Sequence, residues 1–455
     1  MTNQPRADRR AFLKSSALTA GALAVPRFSI ASSSASPSSK INMAVVGAGG
    51  MGEYAVEQAA TENFVAICDV DDERAAEAYE AHPDVPRFRD FRVMLDKMGK
   101  EIDAVAISTP DHTHFAIAMA AMELGKHVFV QKPLAHNIWQ VRTLQKAAHH
   151  YGVITQMGNQ GHTFEGMRLI KAWVDAGVVG DVSEVITWTD RPNDPWFVPP
   201  ETFPPATGPT PDHLDWELWQ GPVAPRGYSE AYVPIRWRGW WDYGCGSLGD
   251  IGCHTFDAPF WALDLGLPTR IEAFSEPPPG EGFIPMNSLV RYEFPARGDR
   301  PPVTLKWYEK GFDVPPPRRW EEGKALPEEG GMYMEGTKET LYHAEMRPTS
   351  PMITPASRFM EMKSELREIE RLPPVGDGPI EEWIAAIKGD GPLPGSNFDY
   401  AAPLTEVVLL GALAQRVGRA LEWDAEAMAV KGQPELAPFI REPAREGWQY
   451  GESLW

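Results

Sequence analysis

Cysteine is nearly absent: Cys68, Cys245 and Cys253 are the only three in 455 residues. That is too few for a disulfide scaffold. A Cys245–Cys253 bridge stays open as a pairing, and Cys68 reads as the end of a buried strand. No combination of Cys and His has the spacing of a structural zinc site, so no metal is expected. His112 and His114, two apart, read as residues that line or cap a loop. Long apolar runs are missing too. The stretch from Ala17 to Val25 falls well short of the roughly 18 residues of a membrane-spanning helix, so no stable membrane anchor is expected. Positive charge is scarce, with 43 Lys and Arg against 63 Asp and Glu, a net charge of −20. A surface this acidic repels nucleic acid and anionic lipid. No internal repeat is visible. What remains is an ordinary globular composition, 43% hydrophobic, long enough for two domains or slightly more.

The few cations that exist are unevenly placed. Residues 1–35 carry Arg6, Arg9, Arg10, Lys14 and Arg27 against Asp8 alone, so removing them leaves a net charge of −24. The order Asp8-Arg9-Arg10-Ala11-Phe12-Leu13-Lys14, then the uncharged stretch to Val25, then small residues around Ser29-Ile30-Ala31 and Ser33-Ser34-Ala35, is that of a cleavable twin-arginine export signal. The expected partner is the twin-arginine export machinery, and the expected location is the periplasm or another exported compartment. Residues 36–40 read as a linker.

From Ile41 the texture is regular. Apolar strands are predicted at 41–46, 64–69, 104–108, 127–130 and 153–156, alternating with helices at 53–61, 72–82, 114–124 (ended by Gly125) and 139–151. That alternation implies right-handed βαβ units and a doubly wound parallel sheet. Between the first strand and first helix stands Gly47-Ala48-Gly49-Gly50-Met51-Gly52. Gly47 permits the tight turn, Gly49 lets a pyrophosphate approach the backbone, and Gly52 lets helix and strand pack; Gly50 and Met51 complete the loop. The second strand ends in Asp69, where a carboxylate accepts hydrogen bonds from adenosine ribose hydroxyls and repels a 2′-phosphate. NAD is therefore the expected cofactor, and Arg74 keeps NADP open. Thr109, Pro110 and His114 follow the third long strand at the sheet's carboxyl edge and are expected beside the cofactor. Residues 41–160 are thus expected to form a Rossmann domain.

After about residue 160 a helix at 165–176 leads into strands at 182–188, 270–274, 289–294 and 303–308, which predict an open, mostly antiparallel sheet in an α+β domain over 161–455. Two stretches rich in Pro and Gly, about 190–235 and 311–375, read as long loops or insertions. Helices are predicted at 380–388 and 402–420, the latter packing back on the main body.

The strand His127-Val128-Phe129-Val130 ends in Gln131-Lys132-Pro133. There the chain resembles the glucose–fructose oxidoreductase / inositol dehydrogenase / rhizopine-catabolism (Gfo/Idh/MocA) family, in which the motif is commonly Glu-Lys-Pro. The resemblance implies that Lys132 reaches the nicotinamide and the reacting hydroxyl. Gln131 departs from the usual glutamate and supports the ammonium less by charge. The second part of the resemblance is Gly249-Asp250-Ile251-Gly252-Cys253-His254. Asp250 and His254 lie four apart, on one face of a helix, and the family places such a pair against the substrate hydroxyl. A histidine with a carboxylate neighbour is a plausible general base. Gln156 and Asn159, in Gln156-Met157-Gly158-Asn159-Gln160-Gly161-His162, read either as amides binding sugar or nicotinamide in the inter-domain cleft or as a hinge; the segment resembles that of exported members sharing the Gln-Lys-Pro variation. Among the 16 tryptophans, Trp240 and Trp241 are the first candidates for stacking on a sugar, with Arg236, Arg238 and Asp242 as interleaved polar partners.

The resemblance implies a homo-oligomer and an enzyme acting on CH–OH groups of a carbohydrate. Lys132, Asp250 and His254 would be catalytic, with Asp250 orienting His254. An exported enzyme meets no useful pool of free nicotinamide, so the cofactor is expected to be tightly bound and recycled. Recycling is open to a second sugar or to a redox-neutral glycosidase cycle of oxidation, elimination and reduction. A non-catalytic sugar or nucleotide sensor is the alternative from another class.

Overall fold

The computed structural model describes residues 40–373 and 378–455; the expected export signal lies outside the described residues. Six parallel strands, β1 (Asn42–Val46), β2 (Asn63–Cys68), β3 (Arg87–Phe88), β4 (Ala104–Ile107), β5 (His127–Val130) and β6 (Thr155–Met157), form a sheet in the order β3-β2-β1-β4-β5-β6. The order reverses between β1 and β4, and in such sheets ligands bind in the crevice at the carboxyl ends of the strands flanking that point. The strands are short apolar runs because helices cover both faces; β4 is buried throughout. Local signals delimit the helices. Asp90 accepts from the Arg92 amide at the start of Phe91–Met98, a helix absent from the sequence reading, and Asn137 accepts from the Gln140 amide before Ile138–Tyr151.

Two helix starts differ from expectation. The Asp71 carboxylate accepts from the amides of Glu73 and Arg74 and holds a turn, so that helix begins at Ala76. Pro110 precedes a helix over Asp111–Glu123, which begins three residues before His114. His112 and His114 are therefore buried in a first helical turn, not placed in a loop.

The second sheet has nine strands: β7 (Val182–Thr189), β8 (Arg270–Ser275), β9 (Ser288–Phe294), β10 (Val303–Tyr308), β11 (Gly330–Gly336), β12 (Thr340–Ala344), β13 (Met352–Thr354), β14 (Leu421–Asp424) and β15 (Ala429–Val430). Their order is β13-β12-β11-β7-β10-β9-β8-β14-β15, antiparallel except where β10 lies parallel to β7. Residues 311–375 are therefore no simple insertion: they supply β11, β12, β13 and the helix Ala356–Glu368. The glycines opening β11 hide it from pattern reading; a Cβ on Gly331 would lie 2.6 Å from the Trp188 ring, so the position takes nothing larger. Residues 190–235 are irregular, as expected, apart from short helical turns such as Trp216–Gln220. Their aromatics Phe197, Trp216, Trp219 and Tyr232 join Trp237 and Trp240 in a separate core.

The chain then returns to the first sheet. The helix Pro379–Lys388 puts Ile380, Trp383 and Ile384 into the core around β1 and β5, and Trp383 Nε1 donates to the Ile154 carbonyl at 3.1 Å. The helix Phe398–Val417 is buried along most of its length and packs on both Ile138–Tyr151 and the helix Gly246–Thr255. Lys132 and Asp250 are brought together across this layer.

Burial has a consequence for acid stability. It pushes the pKa of His112 down to about 3 and that of His343 to about 4. An unfolded histidine takes up a proton below about 6.5, and these folded ones do not, so each costs about 1.4 kcal/mol of stability per unit of pH between those limits. His136 works in the opposite sense: burial disfavours its charge, but Glu442 outweighs burial and raises its pKa, so its contribution is lost as pH rises. Burial lowers His114, His127 and His254 as well, so with five imidazoles against one the urea midpoint is expected to fall as pH drops from 6.5 to 4.5. A midpoint that stays level or rises over that range would refute the balance.

Candidate active site

The glycine loop closes by contact. Gly47 has φ +81° and its amide donates to the Cys68 carbonyl at 2.8 Å. A Cβ on Gly49 would lie 2.3 Å from the Arg74 carbonyl oxygen, and one on Gly52 would lie 2.0 Å from that of Gly47. Asp69 ends β2 beneath this loop, its Oδ2 accepting from the Ala48 amide at 2.8 Å and its Oδ1 from the Asp71 amide at 3.0 Å. Burial nevertheless raises its pKa above the ordinary carboxylate value. Exposed Glu53 caps the following helix by accepting from the Gly50 amide at 3.0 Å. A phosphate at that helix start would displace it, since both anions seek the same amides.

A cleft of about 330 Å³ begins here. It is lined by Gly47, Gly49, Gly50, Met51, Asp69, Thr109 and Pro110, and it continues to Gln131, Lys132 and Asp250. Gly52 does not line it and serves the turn from behind. Nor does His114, which is buried with Nδ1 2.9 Å from the Pro133 carbonyl and Nε2 2.8 Å from that of Thr109. It braces the loops after β4 and β5, and no ring nitrogen is left for a cofactor.

At the far end the Lys132 ammonium donates to Asp250 Oδ1 at 2.7 Å and to the Asp250 carbonyl at 2.6 Å. Burial pushes the Asp250 pKa up, but Lys132, Arg238 and Arg191 outweigh it and hold the carboxyl well below its usual range. His254 lies one turn on, in the same helix Gly246–Thr255. Its partner is Asn159, whose Oδ1 stands 2.8 Å from Nδ1. The expected orientation of His254 by Asp250 is thus corrected: the carboxylate is taken up by cations, and an amide holds the imidazole. Burial, then Lys132 and Arg347, push the His254 pKa well below 6.5, with Asp250 opposing. The ring is neutral.

Three other expected contacts lie elsewhere. Gln156 is fully buried and donates to Glu382 at 2.8 Å. Trp240 is 2% exposed, with Nε1 donating to the Ala231 carbonyl, and Trp241 lines a separate small cavity beside Arg416. The tryptophans that do line the cleft are Trp196, Trp219, Trp237 and Trp448. Pattern could not separate Trp196, Trp219 and Trp237 from Trp240, because these share one aromatic-rich segment and only packing decides which ring faces out; Trp448 comes from the far end of the chain. Gln131 also went unplaced by the sequence reading: its Nε2 is buried in the cleft wall without a partner. All three cysteines are free, and no cluster fit for a metal occurs among the described residues.

Comparison with known proteins agrees with this geometry. Residues 41–159 match an oxidoreductase family described by its NAD-binding Rossmann fold, and residues 167–276 match the C-terminal alpha/beta domain of the same family, together just over half of the chain. The chain belongs to the Gfo/Idh/MocA oxidoreductase family. Among curated relatives, levoglucosan dehydrogenase of Pseudarthrobacter phenanthrenivorans is 26% identical over 171 residues, covering 34% of this chain and 43% of that one. Inositol 2-dehydrogenase 1 of Saccharopolyspora erythraea is 34% identical over 149 residues, covering 31% and 43%. The chain thus spans under half the length of these relatives. The WlbA dehydrogenase from Bordetella pertussis, solved with NADH and UDP-GlcNAcA, superposes with a TM-score of 0.57 at 16% identity, covering 85% of this chain and 99% of that one; at that identity the likeness is one of fold. Gly47, Gly49, Gly50, Met51 and Asp69 line one part of the cleft, and Lys132, Asp250, Trp196 and Trp237 line another.

Proposed function

We propose that this protein is an exported NAD-dependent oxidoreductase that moves hydride between a CH–OH carbon of a sugar, polyol or glycoside and a tightly held nicotinamide. The observation that carries the reading is that Lys132 and Asp250 line the same cleft as Gly47, Gly49 and Asp69. The relatives named as levoglucosan and inositol dehydrogenases favour a carbohydrate. The site suits the dinucleotide: the glycine loop leaves no room for a side chain, and the orphaned Gln131 Nε2 is a donor awaiting an acceptor in the cleft. When bound, the nicotinamide supplies the hydride acceptor.

The chain's own residues handle the proton. Lys132 donates to the substrate oxygen and stabilises the negative charge that develops there. Asp250 holds the ammonium in place. With Asn159 Oδ1 accepting from Nδ1–H, His254 carries its lone pair on Nε2; both residues are buried behind the cleft lining, and His254 is assigned the hydroxyl proton on its place one turn from Asp250. Because His254 is neutral well below pH 6.5, the acid limb of kcat/KM is expected below that value, with flat rates from pH 8 to 6.5. A limb centred at 7 or above would reject His254 as the base.

Residues 1–35 support export by the twin-arginine route, which carries folded cargo, and export favours a cofactor retained and recycled in place. The direct test is to denature the purified protein and identify any released dinucleotide and its redox state, then to offer sugars and glycosides without added nicotinamide. Reduction of bound NAD by a sugar is the expected result. A folded protein that neither contains nor takes up a pyridine nucleotide would end the proposal.

A further inference from the structure

The substrate end of the cleft holds more positive charge than its chemistry needs. Besides Lys132, Arg238 lines it, and two arginines from other segments stand behind the lining, Arg191 within reach of Asp250 and Arg347 near both. Arg238 sits over two tryptophan rings, its guanidinium carbon 4.2 Å from the Trp237 ring centroid and 5.3 Å from that of Trp196. Its side chain is only 19% exposed. Its Nε stands 3.6 Å from Asp250 Oδ1, and it finds no hydrogen-bond acceptor among the described residues. Arg191 pairs with Asp194 and reaches Asp250 Oδ2 at 3.4 Å. Arg347 donates to Gln160 Oε1 at 2.7 Å and leaves its buried Nε without a partner.

No carboxylate among the described residues hydrogen-bonds Arg238. Asp250 is shared between Lys132, Arg191 and Arg238, and Asp194 serves Arg191. Asp190 also faces Arg191, and Asp111, in the cleft wall, has its pKa raised by burial, with His114, Arg238 and Lys132 opposing. Glu345, near Arg347, is exposed. A guanidinium left unpaired in the cleft wall calls for a counter-charge, and burying its donors without acceptors is costly. A neutral sugar supplies none.

We propose that the substrate is a carbohydrate bearing an anionic group, a carboxylate or a sulfate or phosphate ester, and that Arg238 is its principal anchor, with Arg191 and Arg347 beside it. This rests on the reading of the cleft as a carbohydrate site. A guanidinium packed over two aromatic rings keeps its planar fork of N–H donors for the cleft, a shape that matches two oxygens of one anion. Trp196 and Trp237 therefore serve to hold the arginine instead of stacking on the sugar ring. The same anion aids the proton transfer: an imidazolium at His254 would form beside Lys132 and Arg347, and a negative charge on the substrate offsets that repulsion.

The test uses the full-length exported protein loaded with NAD and a panel matched in stereochemistry: a neutral sugar, its uronate, and its 6-sulfate and 6-phosphate. Binding is read by tryptophan fluorescence and turnover by nicotinamide absorbance. At least one anionic member is expected to exceed its neutral counterpart by about 10- to 100-fold in affinity and in kcat/KM, the usual worth of a charge-assisted hydrogen bond. R238Q should bring that ratio close to one, and R238K should restore part of it, since a lysine keeps the charge but not the fork; thermal unfolding checks that both variants fold. Preference for the uronate assigns a carboxylate, and preference for an ester assigns sulfate or phosphate. Equal or better use of the neutral sugar overturns the anion site while leaving the dehydrogenase reading intact. Tight, Arg238-dependent binding of an anionic sugar with no hydride transfer does the reverse. No binding of any member overturns both.

Discussion

Alanine at Lys132 is expected to reduce hydride transfer on the order of 10³-fold, the scale found when a single preorganised donor to a developing oxyanion is removed. The lysine is the only hydrogen-bond donor to the Asp250 carboxylate among the described residues, and it stands at the junction of the nucleotide and substrate ends of the cleft. Removing it strips the reacting oxygen of its donor and withdraws the main partner of a buried carboxylate. Breaking a buried pair from one side typically costs about 3–5 kcal/mol, but Asp250 keeps Arg191 and Arg238 at 3.4 and 3.6 Å, so the stability loss should be smaller. Nucleotide binding should persist, because the glycine loop and Asp69 are untouched. Calorimetric titration with NAD and single-turnover kinetics separate the two effects. Turnover within tenfold of wild type would show that Lys132 does not bear on the reacting oxygen.

The second large effect is expected at Gly52. A Cβ there would lie 2.0 Å from the Gly47 carbonyl oxygen and 2.8 Å from its carbonyl carbon. Those are backbone atoms, so no rotamer change relieves the clash, and the turn must open. Gly52→Ala is therefore expected to weaken NAD binding by at least about 100-fold, since the turn sets the amides at the start of the helix where the pyrophosphate binds. Gly125→Ala is the matched control. It sits at φ +71° with nothing within 4 Å of the added carbon, so it should cost only the 1–2 kcal/mol or so of a left-handed alanine and leave NAD affinity unchanged. Equal loss of affinity in both variants would mean that the Gly52 effect is general destabilisation.

The nucleotide half of the site was readable because its information is local. A turn without side chains, the strand before it, the helix after it and the acid at the end of the next strand lie within about thirty residues, and each requirement is imposed by backbone geometry. Helix starts were less readable. At Asp71 and at Pro110-Asp111 a side-chain cap or a proline moves the boundary, and both patterns suit a loop as well as a helix. The strand β11 escaped notice because its leading glycines are a packing requirement of Trp188 and leave no alternation to detect.

The substrate half lay beyond reading for a different reason. Lys132 meets Asp250 across 118 residues, and His254 donates to Asn159 Oδ1, not to the acid four residues away. Spacing shows that Asp250 and His254 share a helix face; it cannot show that three cations from other segments compete for the carboxylate.

By itself, then, the amino-acid order determined five of the six parallel strands, the glycine loop, the acid at Asp69 and the presence of Lys132 at a strand end, because each is a short-range consequence of chain geometry; the two-residue edge strand Arg87–Phe88 was too short to read. Tertiary structure alone decided which acid the lysine holds, which amide sets the histidine, which tryptophans face the cleft and how much positive charge gathers there. Those are outcomes of packing between segments far apart in the chain, where burial and electrostatic competition, rather than sequence spacing, choose the partner.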